Sequence, residues 1–530
     1  MAAVPKERLV DFMKRCLSVF LAVLMLLTSL SCLTAVAEDK VCNCEHMPMI
    51  YVFGKQHIYD DPHAENRREL DGLDAVWAKG LIGEGIKKFA KGLVTNNYDD
   101  FIEYVATNFE EKYAGFACQD NGDLPDNSTG IDYSWSPETM IDDHVWDNVY
   151  SYVYIYDARQ DPMEIADDMH DYIESVRRVT GHHRVAVLSR CMGTEMALAY
   201  FAKYGWDDID TFFSYSSAAM GTTIFSEIFA GKVELDLDSI NEYYGTKYQY
   251  DTTEKKQLIL TLLELISQLR ALGLTEKALN RLFARLKTDL IPRILKASFA
   301  TCPGYWTMVG PNDYEDAKAF LFKDDADKYA DLIKRIDEYD RLVRQPMNEL
   351  MLEMNKDVKM CILAKYGFQM IPATVSQREQ SDDKITLKDQ SFGATSAQIG
   401  KTLSTAYIEK AIAKGHGKYI SPDRIVDAST ALLPDQTWFV KNIRHNDFPG
   451  HFYDLVIRMI RADRQLTVND DPEYPQYTVF YWEDGRDYWV PMTEENMHTE
   501  YQHPRFFDAL KTFLQSLFTI IKNKLKEAFA

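Results

Sequence analysis

The chain has 530 residues, of which 46% are hydrophobic and 26% are charged, a composition typical of a globular protein with a substantial core. At roughly 150 residues per domain, this length allows several structural units. Acidic residues outnumber basic residues by 81 to 59, a formal net charge of −22, so the averaged field repels phosphate backbones. The charge excludes a general nucleic-acid-binding function, and no nucleic acid partner is expected.

Residues 1–37 have the organisation of a secretory signal peptide. The basic residues come first: Lys6, Arg8, Lys14 and Arg15. An uncharged run from Cys16 to Ala37 follows, and it ends in the small-x-small step Ala35-Val36-Ala37, which is typical of a cleavage site. The same run is long enough to be an uncleaved membrane anchor. Both interpretations predict a secreted or extracytoplasmic protein.

Six cysteines remain after this predicted cleavage: Cys42, Cys44, Cys118, Cys191, Cys302 and Cys361. Some of them could pair in an oxidising compartment, but six in a chain of this length do not make a disulfide scaffold. The sequence contains no Cys-x-x-Cys pattern, so no structural zinc is predicted. No metal and no organic cofactor is expected.

Apolar runs alternate with helix-forming runs in the first part of the chain. Buried strands are predicted at Met47–Gly54, Tyr150–Tyr156, Arg184–Leu188 and Thr211–Ser216. Helical segments are predicted over about 64–115, over Pro162–Val179 and over Thr194–Tyr204. This strand–helix alternation predicts an α/β fold with a parallel sheet.

The pattern becomes helical between about 224 and 350. Leucines recur there at steps of three and four: Leu258, Leu262, Leu265, Leu269 and Leu272, then Leu279, Leu282, Leu286 and Leu290. The sheet is predicted to resume at Val358–Ala364. We therefore expect a core in two parts, 45–223 and 351–460, with residues 224–350 as a helical cap over an active site. A helical extension of the core is the alternative.

Residues 461–530 are predicted to form a hairpin and an amphipathic helix. The hairpin covers Tyr477–Met492, with Asp484-Gly485 at its turn. The helix covers about Pro504 to Phe529, with apolar residues along one side and basic residues elsewhere. We expect this helix to pack against the sheet, and peripheral membrane contact is its alternative use.

The segment Ser189-Arg190-Cys191-Met192-Gly193 lies between a predicted strand and a predicted helix. In hydrolases built on a parallel sheet, the nucleophile lies at a sharp strand-to-helix turn, and small residues stand two positions away because larger ones would collide with the backbone. Ser189 and Gly193 meet this condition. We therefore predict Cys191 as a nucleophile, with a buried structural cysteine as the alternative.

Such a nucleophile needs a general base and an acid that orients the base, and in this fold the acid precedes the histidine. Asp423 lies after a predicted strand and loop, and His445 follows the predicted last strand, Thr437–Val440. The chain order Cys191, Asp423, His445 is therefore the expected one. Three alternatives stay open for the two roles: Asp427 or Asp435 as the acid, and His451 as the base.

An oxyanion hole requires two backbone N–H groups directed at the developing negative charge. Met192, directly after the nucleophile and at the start of its helix, is predicted to supply one of them. The loop Gly54-Lys55-Gln56 after the first strand is predicted to supply the other.

At these residues the chain resembles the α/β-hydrolase superfamily, within it the lipase and lecithin:cholesterol acyltransferase-like group. Three segments resemble motifs of that group. Tyr154–Arg159 resembles its Tyr-Asp-Trp-Arg segment, and Ser189–Gly193 resembles its Gly-His-Ser-Met-Gly box. Asp423–Val426 resembles its Asp-Gly-x-Val acid motif. The chain departs from these motifs at four positions: Ser189 for glycine, Arg190 for histidine, Cys191 for serine and Arg424 for glycine.

The resemblance implies a doubly wound, mostly parallel sheet with a cap insertion. It further implies a secreted enzyme that hydrolyses or transfers the acyl group of a small or lipid-like ester through a thioester on Cys191. Cysteine serves as the nucleophile in dienelactone hydrolases and polyhydroxyalkanoate synthases of this fold, because a neighbouring histidine lowers the thiol pKa. The competing hypothesis is a non-catalytic ligand-binding or surface protein on a degenerate hydrolase scaffold.

Overall fold

A computed structural model describes residues 47–54, 58–60, 69–70, 75–126, 128–130, 137, 145–146, 149–234, 239, 243, 276–370, 372, 374–447, 450–483 and 486–499. The strands are β1 (Pro48–Gly54), β2 (Ile58–Tyr59), β3 (Thr129–Gly130), β4 (Val145–Trp146), β5 (Val149–Tyr156), β6 (Val185–Arg190), β7 (Ile209–Tyr215), β8 (Lys359–Tyr366), β9 (Phe368–Gln369), β10 (Gln380–Ser381), β11 (Thr395–Ser396), β12 (Val426–Asp427), β13 (Thr437–Lys441), β14 (Tyr477–Glu483) and β15 (Arg486–Pro491).

The α-helices are α1 (Ala75–Thr95), α2 (Asp99–Lys112), α3 (Pro162–Thr180), α4 (Gly193–Tyr204), α5 (Thr223–Phe229), α6 (Glu276–Lys296), α7 (Pro303–Trp306), α8 (Tyr314–Phe322), α9 (Ala330–Tyr339), α10 (Met347–Met354), α11 (Leu387–Gln390), α12 (Thr405–Ala413) and α13 (Gly450–Arg461). A π-helical turn, Asp340–Arg344, follows α9, and 3₁₀ turns lie at Gly417–Tyr419, Ala428–Thr430 and Pro434–Gln436.

A nine-stranded sheet with the order β15-β14-β13-β8-β7-β6-β1-β5-β4 organises the molecule. Neighbouring strands are parallel from β5 through to β14. Only the two outermost pairs, β4 with β5 and β14 with β15, are antiparallel. The prediction of an α/β fold with a mostly parallel sheet is confirmed. The expectation that Thr437–Val440 forms the last strand is wrong, because β14 extends the parallel sheet beyond it.

Alternating side chains of the central strands bury both faces of the sheet. In β6, Val185 and Val187 belong to the apolar core on one face, whereas Ala186 and Leu188 belong to the core on the other. The first core also contains buried residues of α3 and α4, and the second contains those of α13. The uniform burial of β6 explains why its sequence is continuously apolar rather than alternating.

Local sequence signals define the ends of α3. The side chain of Asp161 accepts a hydrogen bond from the backbone N–H of Met163, Pro162 occupies the first turn, and Gly181 ends the helix in the left-handed conformation with φ 70°. Each of these residue types favours its position, because the cap satisfies an orphan N–H group and glycine tolerates positive φ. The helix therefore begins and ends close to the predicted bounds.

Between β7 and β8 the structure describes helices and no strands. Buried side chains of α5, α6, α8 and α9 form a separate apolar cluster around Trp306, whereas Met347, Met351 and Met354 of α10 belong to the first core of the sheet. The strands β7 and β8 are nevertheless adjacent and parallel in the sheet. Residues 224–350 thus leave the sheet and return to it.

Several predictions concern residues outside the described ranges. They are the signal peptide over residues 1–37, the first leucine stripe at 258–272, Lys55, the hairpin turn Asp484-Gly485 and the helix over 504–529. The two strands of the predicted hairpin, β14 and β15, are described and pair as expected. Among the described helices, none combines the length and apolar character needed to cross a bilayer.

Candidate active site

Cys191 lies at the sharp turn between β6 and α4. Its backbone is in the left-handed region, with φ 50°, a conformation that non-glycine residues rarely adopt and that costs about 1–2 kcal/mol. Gly193 is required by the same turn, since a Cβ atom there would lie 2.6 Å from the carbonyl oxygen of Val52 in β1. The small side chain of Ser189 fits a buried position and donates a hydrogen bond to the carbonyl of Phe213 at 2.8 Å. These features match the strained turn that the sequence predicted.

The structure places the thiol of Cys191 close enough to the His445 ring for the two groups to interact electrostatically. Burial opposes ionisation of the thiol, but the charge and hydrogen bond of His445, together with the backbone N–H of Met192, outweigh it and lower the pKa of Cys191 below its usual 9.0. Cys191 is itself only half-buried. The arrangement therefore favours the thiolate form of Cys191.

His445 follows β13 and pairs with an acidic residue that the sequence analysis did not select. Its Nδ1 lies 2.7 Å from Oδ2 of Asp382, and its backbone N–H donates to the carbonyl of Asp382 at 2.8 Å. Burial lowers the pKa of the imidazole, but Asp382 and Cys191 more than compensate and raise it to about 9. With Nδ1 held by Asp382, Nε2 is the ring nitrogen left for the thiol.

Asp382 is fully buried and its carboxylate is fixed from two sides. Oδ1 accepts hydrogen bonds from the backbone N–H groups of Lys384 and Ile385 at 3.0 and 2.9 Å, while Oδ2 faces His445. Burial raises the pKa of this carboxyl, but His445, Lys365 and the N–H of Ile385 bring it below 3.8. Asp382 is therefore an ionised partner that orients the imidazole.

Asp423, the predicted acid, does not contact His445, and this expectation is corrected. Its carboxylate forms an ion pair with Lys441 at 3.0 Å and accepts hydrogen bonds from Tyr366 at 3.1 Å and Ser421 at 2.6 Å. Arg424, which stands where the resembled motif has glycine, has φ 58°. The segment thus forms the tight left-handed turn that glycine would suit. The Asp423 carboxylate in this turn bonds Lys441, Tyr366 and Ser421 and not the imidazole.

The other candidate acids and bases also have different surroundings. Asp427 accepts hydrogen bonds from Tyr407 and from the N–H of Ser429, and Asp435 accepts one from Tyr419. His451 lies in α13, and the structure does not describe its side chain.

Sequence reasoning could have placed Asp382 among the candidates. It lies between nucleophile and base in chain order and follows β8, which adjoins β13. Six aspartates, however, lie between the end of β8 and His445: Asp382, Asp383, Asp389, Asp423, Asp427 and Asp435. Nothing in their local sequence separates them, because the choice depends on how the loop after β8 folds back.

Of the predicted oxyanion donors, Met192 and Gly54 lie among the described residues. The N–H of Met192 contributes to the lowered pKa of Cys191 and therefore lies on the side of the turn where the sulfur is. Gly54 ends β1, which is paired directly with β6. Lys55 lies outside the described residues, so the second donor stays a prediction.

A buried acid, Glu195, lies on α4 one turn beyond the nucleophile. It is fully buried, and neither carboxyl oxygen has a hydrogen-bond partner in another residue that the structure describes. Burial, reinforced by the charge of Cys191, raises its pKa well above 4.5. A protonated Glu195 places no negative charge beside the thiolate.

Two cationic side chains hold the loop that carries His445. Lys365 of β8, fully buried, donates to the carbonyls of Arg444, His445 and Asp447 at 2.9, 3.1 and 3.0 Å. Burial lowers the pKa of Lys365 to about 7, while its three carbonyl acceptors match the three N–H groups of the charged form. Arg190, the residue before the nucleophile, also donates to the His445 carbonyl at 2.9 Å.

We expect Lys365→Met to lower kcat/KM for an ester by about 10–100-fold, because the loop would lose the contacts that align the imidazole. Lys359→Met is the matched control, since Lys359 at the other end of β8 donates to the carbonyls of Ile460 and Ala462 at 3.0 and 2.8 Å. Steady-state kinetics measures both variants. Equal losses in the two would show that the effect comes from general destabilisation of β8.

Alkylation of Cys191 by iodoacetamide should persist to lower pH than alkylation of the unfolded chain, because the pKa of the thiol is lowered from 9.0. Turnover of an alkyl ester should decline above about pH 9, where His445 loses the proton that the leaving alcohol needs. Alkylation needs no such proton, so its rate should not decline there. If the pH midpoint of Cys191 alkylation were identical in the folded and urea-unfolded chains, the proposed interaction between the Cys191 thiolate and the His445 imidazolium would be contradicted.

Among the described residues, no three His, Cys, Asp or Glu side chains are grouped as metal ligands. The chain matches no protein-family model, and no curated protein is significantly similar to it. A function is therefore inferred from the site geometry.

Proposed function

We propose that the chain is an α/β-hydrolase that hydrolyses or transfers acyl groups with the triad Cys191, His445 and Asp382. The observation that carries this proposal is the thiol on a left-handed strand-to-helix turn, within electrostatic reach of an imidazole that a buried carboxylate holds at 2.7 Å. A structural cysteine would require neither the backbone strain nor the paired histidine.

The position of each residue on the sheet supports the α/β-hydrolase assignment. Cys191 follows a central strand, β6, while Asp382 comes after β8 and His445 after β13, the next strand along the sheet. Nucleophile, acid and histidine follow one another in the chain in the order typical of that fold. The helices between β7 and β8 occupy the place where such enzymes carry a cap insertion.

The geometry supports a two-step reaction. The Cys191 thiolate attacks the ester carbonyl, and the N–H of Met192, the residue directly after the nucleophile, donates to the resulting oxyanion. The C–O bond then breaks, and the protonated His445 gives its proton to the leaving alcohol, which leaves a thioester. Neutral His445 next removes a proton from water or an acceptor alcohol, which attacks the thioester and regenerates the thiolate. Asp382 stabilises the imidazolium in both steps.

We propose acyl esters as the substrate class, lipid-like as in the resembled group, with the enzyme acting outside the cytoplasm as its predicted signal peptide implies. The half-buried thiol supports a substrate that reaches the sulfur from solvent. Whether water or an alcohol is the preferred acceptor is decided by product analysis.

The proposal is tested by trapping the acyl-enzyme. Mixing the purified chain with excess p-nitrophenyl butyrate should release up to one equivalent of p-nitrophenol in a rapid phase. Acid quenching and intact mass analysis should show one added butyryl group, and peptide mapping should locate it on Cys191. Enzyme alkylated beforehand at Cys191 is the control. A label on another residue, or no label and no rapid phase, would refute the thioester mechanism.

A further inference from the structure

We propose that Cys118 and Cys302 are joined by a disulfide bond in the mature protein. The two residues are 184 positions apart, yet the backbone N–H of Cys118 donates to Sγ of Cys302 at 3.4 Å. This dithiol lies outside the catalytic triad and is not needed for the proposed reaction.

Both cysteine side chains are enclosed by the folded protein. Cys118 is 6% exposed and Cys302 is fully buried. The hydrogen bond with Cys302 and burial both raise the pKa of Cys118, so the folded state opposes formation of a thiolate there. Disulfide exchange must therefore occur during folding, before these side chains are enclosed.

The pair lies where three segments of the chain meet. The carbonyl of Arg159, just after β5, accepts hydrogen bonds from the Cys118 thiol at 3.8 Å and from the N–H of Gly304 at 3.3 Å. The fully buried guanidinium of Arg159 donates to the carbonyl of Phe116 at 2.9 Å. A bond between Cys118 and Cys302 would covalently link the segment after α2 to the start of α7.

Aromatic rings pack beside this junction. Phe299 packs against Phe116 and Tyr305 with ring centroids 5.5 and 5.1 Å apart. Cys302, Phe299 and Tyr305 belong to the helical region between β7 and β8, whereas Phe116 lies two residues before Cys118. A disulfide would thus fasten that region to a part of the chain that precedes the sheet strand β5.

The bond requires an oxidant, and glutathione disulfide is a sufficient one. One cysteine thiolate attacks glutathione disulfide and releases one glutathione thiolate. The second cysteine thiolate attacks the resulting mixed disulfide and releases another. Two protein thiols are oxidised and one glutathione disulfide is reduced to two glutathiones, so atoms and electrons balance.

The test is a cysteine map of the full chain refolded with and without glutathione disulfide. Free thiols are alkylated under denaturing conditions before proteolysis and mass spectrometry. We expect a linked Cys118–Cys302 peptide, lighter by two hydrogen atoms, only in the oxidised sample. Cys191 and Cys361 should carry the alkyl label in both samples. Alkylation of both Cys118 and Cys302 after oxidative refolding, or linkage of either to a different cysteine, would overturn the proposal.

Thermal unfolding of Cys118→Ala, Cys302→Ala and the double variant gives a second readout. For each single variant, the loss of Tm relative to the parent chain is measured under oxidising and under reducing conditions. The loss under oxidising conditions should be the larger of the two by about 3–5 °C. The double variant should lose no more of this redox-dependent part than either single variant. Tm differences that are the same in both redox states would show that only packing was lost.

Discussion

Replacing Cys191 by alanine should lower kcat/KM for a p-nitrophenyl acyl ester by at least about 10⁴-fold, because the variant lacks the atom that attacks the carbonyl. The fold should survive, since alanine keeps the Cβ and removes only the half-buried sulfur. Steady-state kinetics gives the rate, and far-UV circular dichroism with thermal unfolding gives the fold.

Cys361→Ala is the matched thiol control for this experiment. Cys361 is buried in β8, and burial raises its pKa, so it is an inert thiol. The control variant should keep its turnover per folded molecule, although the small cavity lowers its stability. Undiminished hydrolysis by Cys191→Ala would eliminate the thiol mechanism.

Cys191→Gly separates the strain of the turn from its chemistry. Glycine adopts φ near 50° without the steric cost that Cys191 incurs, about 1–2 kcal/mol. We expect this variant to be inactive and to have a Tm at or above that of Cys191→Ala, as measured by calorimetry. Such a result would show that the chain accepts backbone strain in order to present the sulfur.

Asp382→Asn should lower kcat by about 10³–10⁴-fold, whereas Asp423→Asn should change kcat per folded molecule by less than about threefold. At position 382 an amide directed at Nδ1 of His445 would favour the wrong imidazole tautomer and remove the charge that stabilises imidazolium. At position 423 no contact with His445 is lost.

Asp423→Asn, the variant expected to keep its activity, should nevertheless lose stability. Asp423→Asn leaves the Lys441 ammonium, only 12% exposed, without its charged partner, which costs about 3 kcal/mol of unfolding free energy. Chemical denaturation and kinetics on the same preparations separate the two effects. A large loss of kcat in Asp423→Asn, with little change in Asp382→Asn, would restore the acid that the sequence motif indicates.

Local sequence was sufficient for the elements and for the nucleophile turn. The apolar runs of β1, β6 and β8 are buried on both faces, so their hydrophobicity identifies them without any knowledge of their neighbours. Ser189 and Gly193 flank Cys191 because the turn itself excludes larger side chains. Such constraints arise within a few residues and therefore leave a readable pattern.

The acid could not be predicted in the same way. Asp423 belongs to a turn whose residues resemble a known motif, and Arg424 adopts the left-handed conformation that the motif's glycine would favour. The motif therefore identified the correct backbone geometry and the wrong carboxylate. Asp382 lies next to His445 because the chain after β8 returns toward β13, a route that no short segment encodes.

The sequence by itself determined the mostly parallel α/β sheet and the bend at Cys191, because periodicity and local sterics specify them. It favoured His445 over His451 through chain order after the predicted strand Thr437–Val440, not through local sterics. Only the tertiary structure decided which carboxylate orients His445, that Lys365 holds its loop, and that Cys118 meets Cys302. These pairings join residues far apart in the chain, and packing of the whole molecule, rather than the conformation of either segment, brings them within bonding distance.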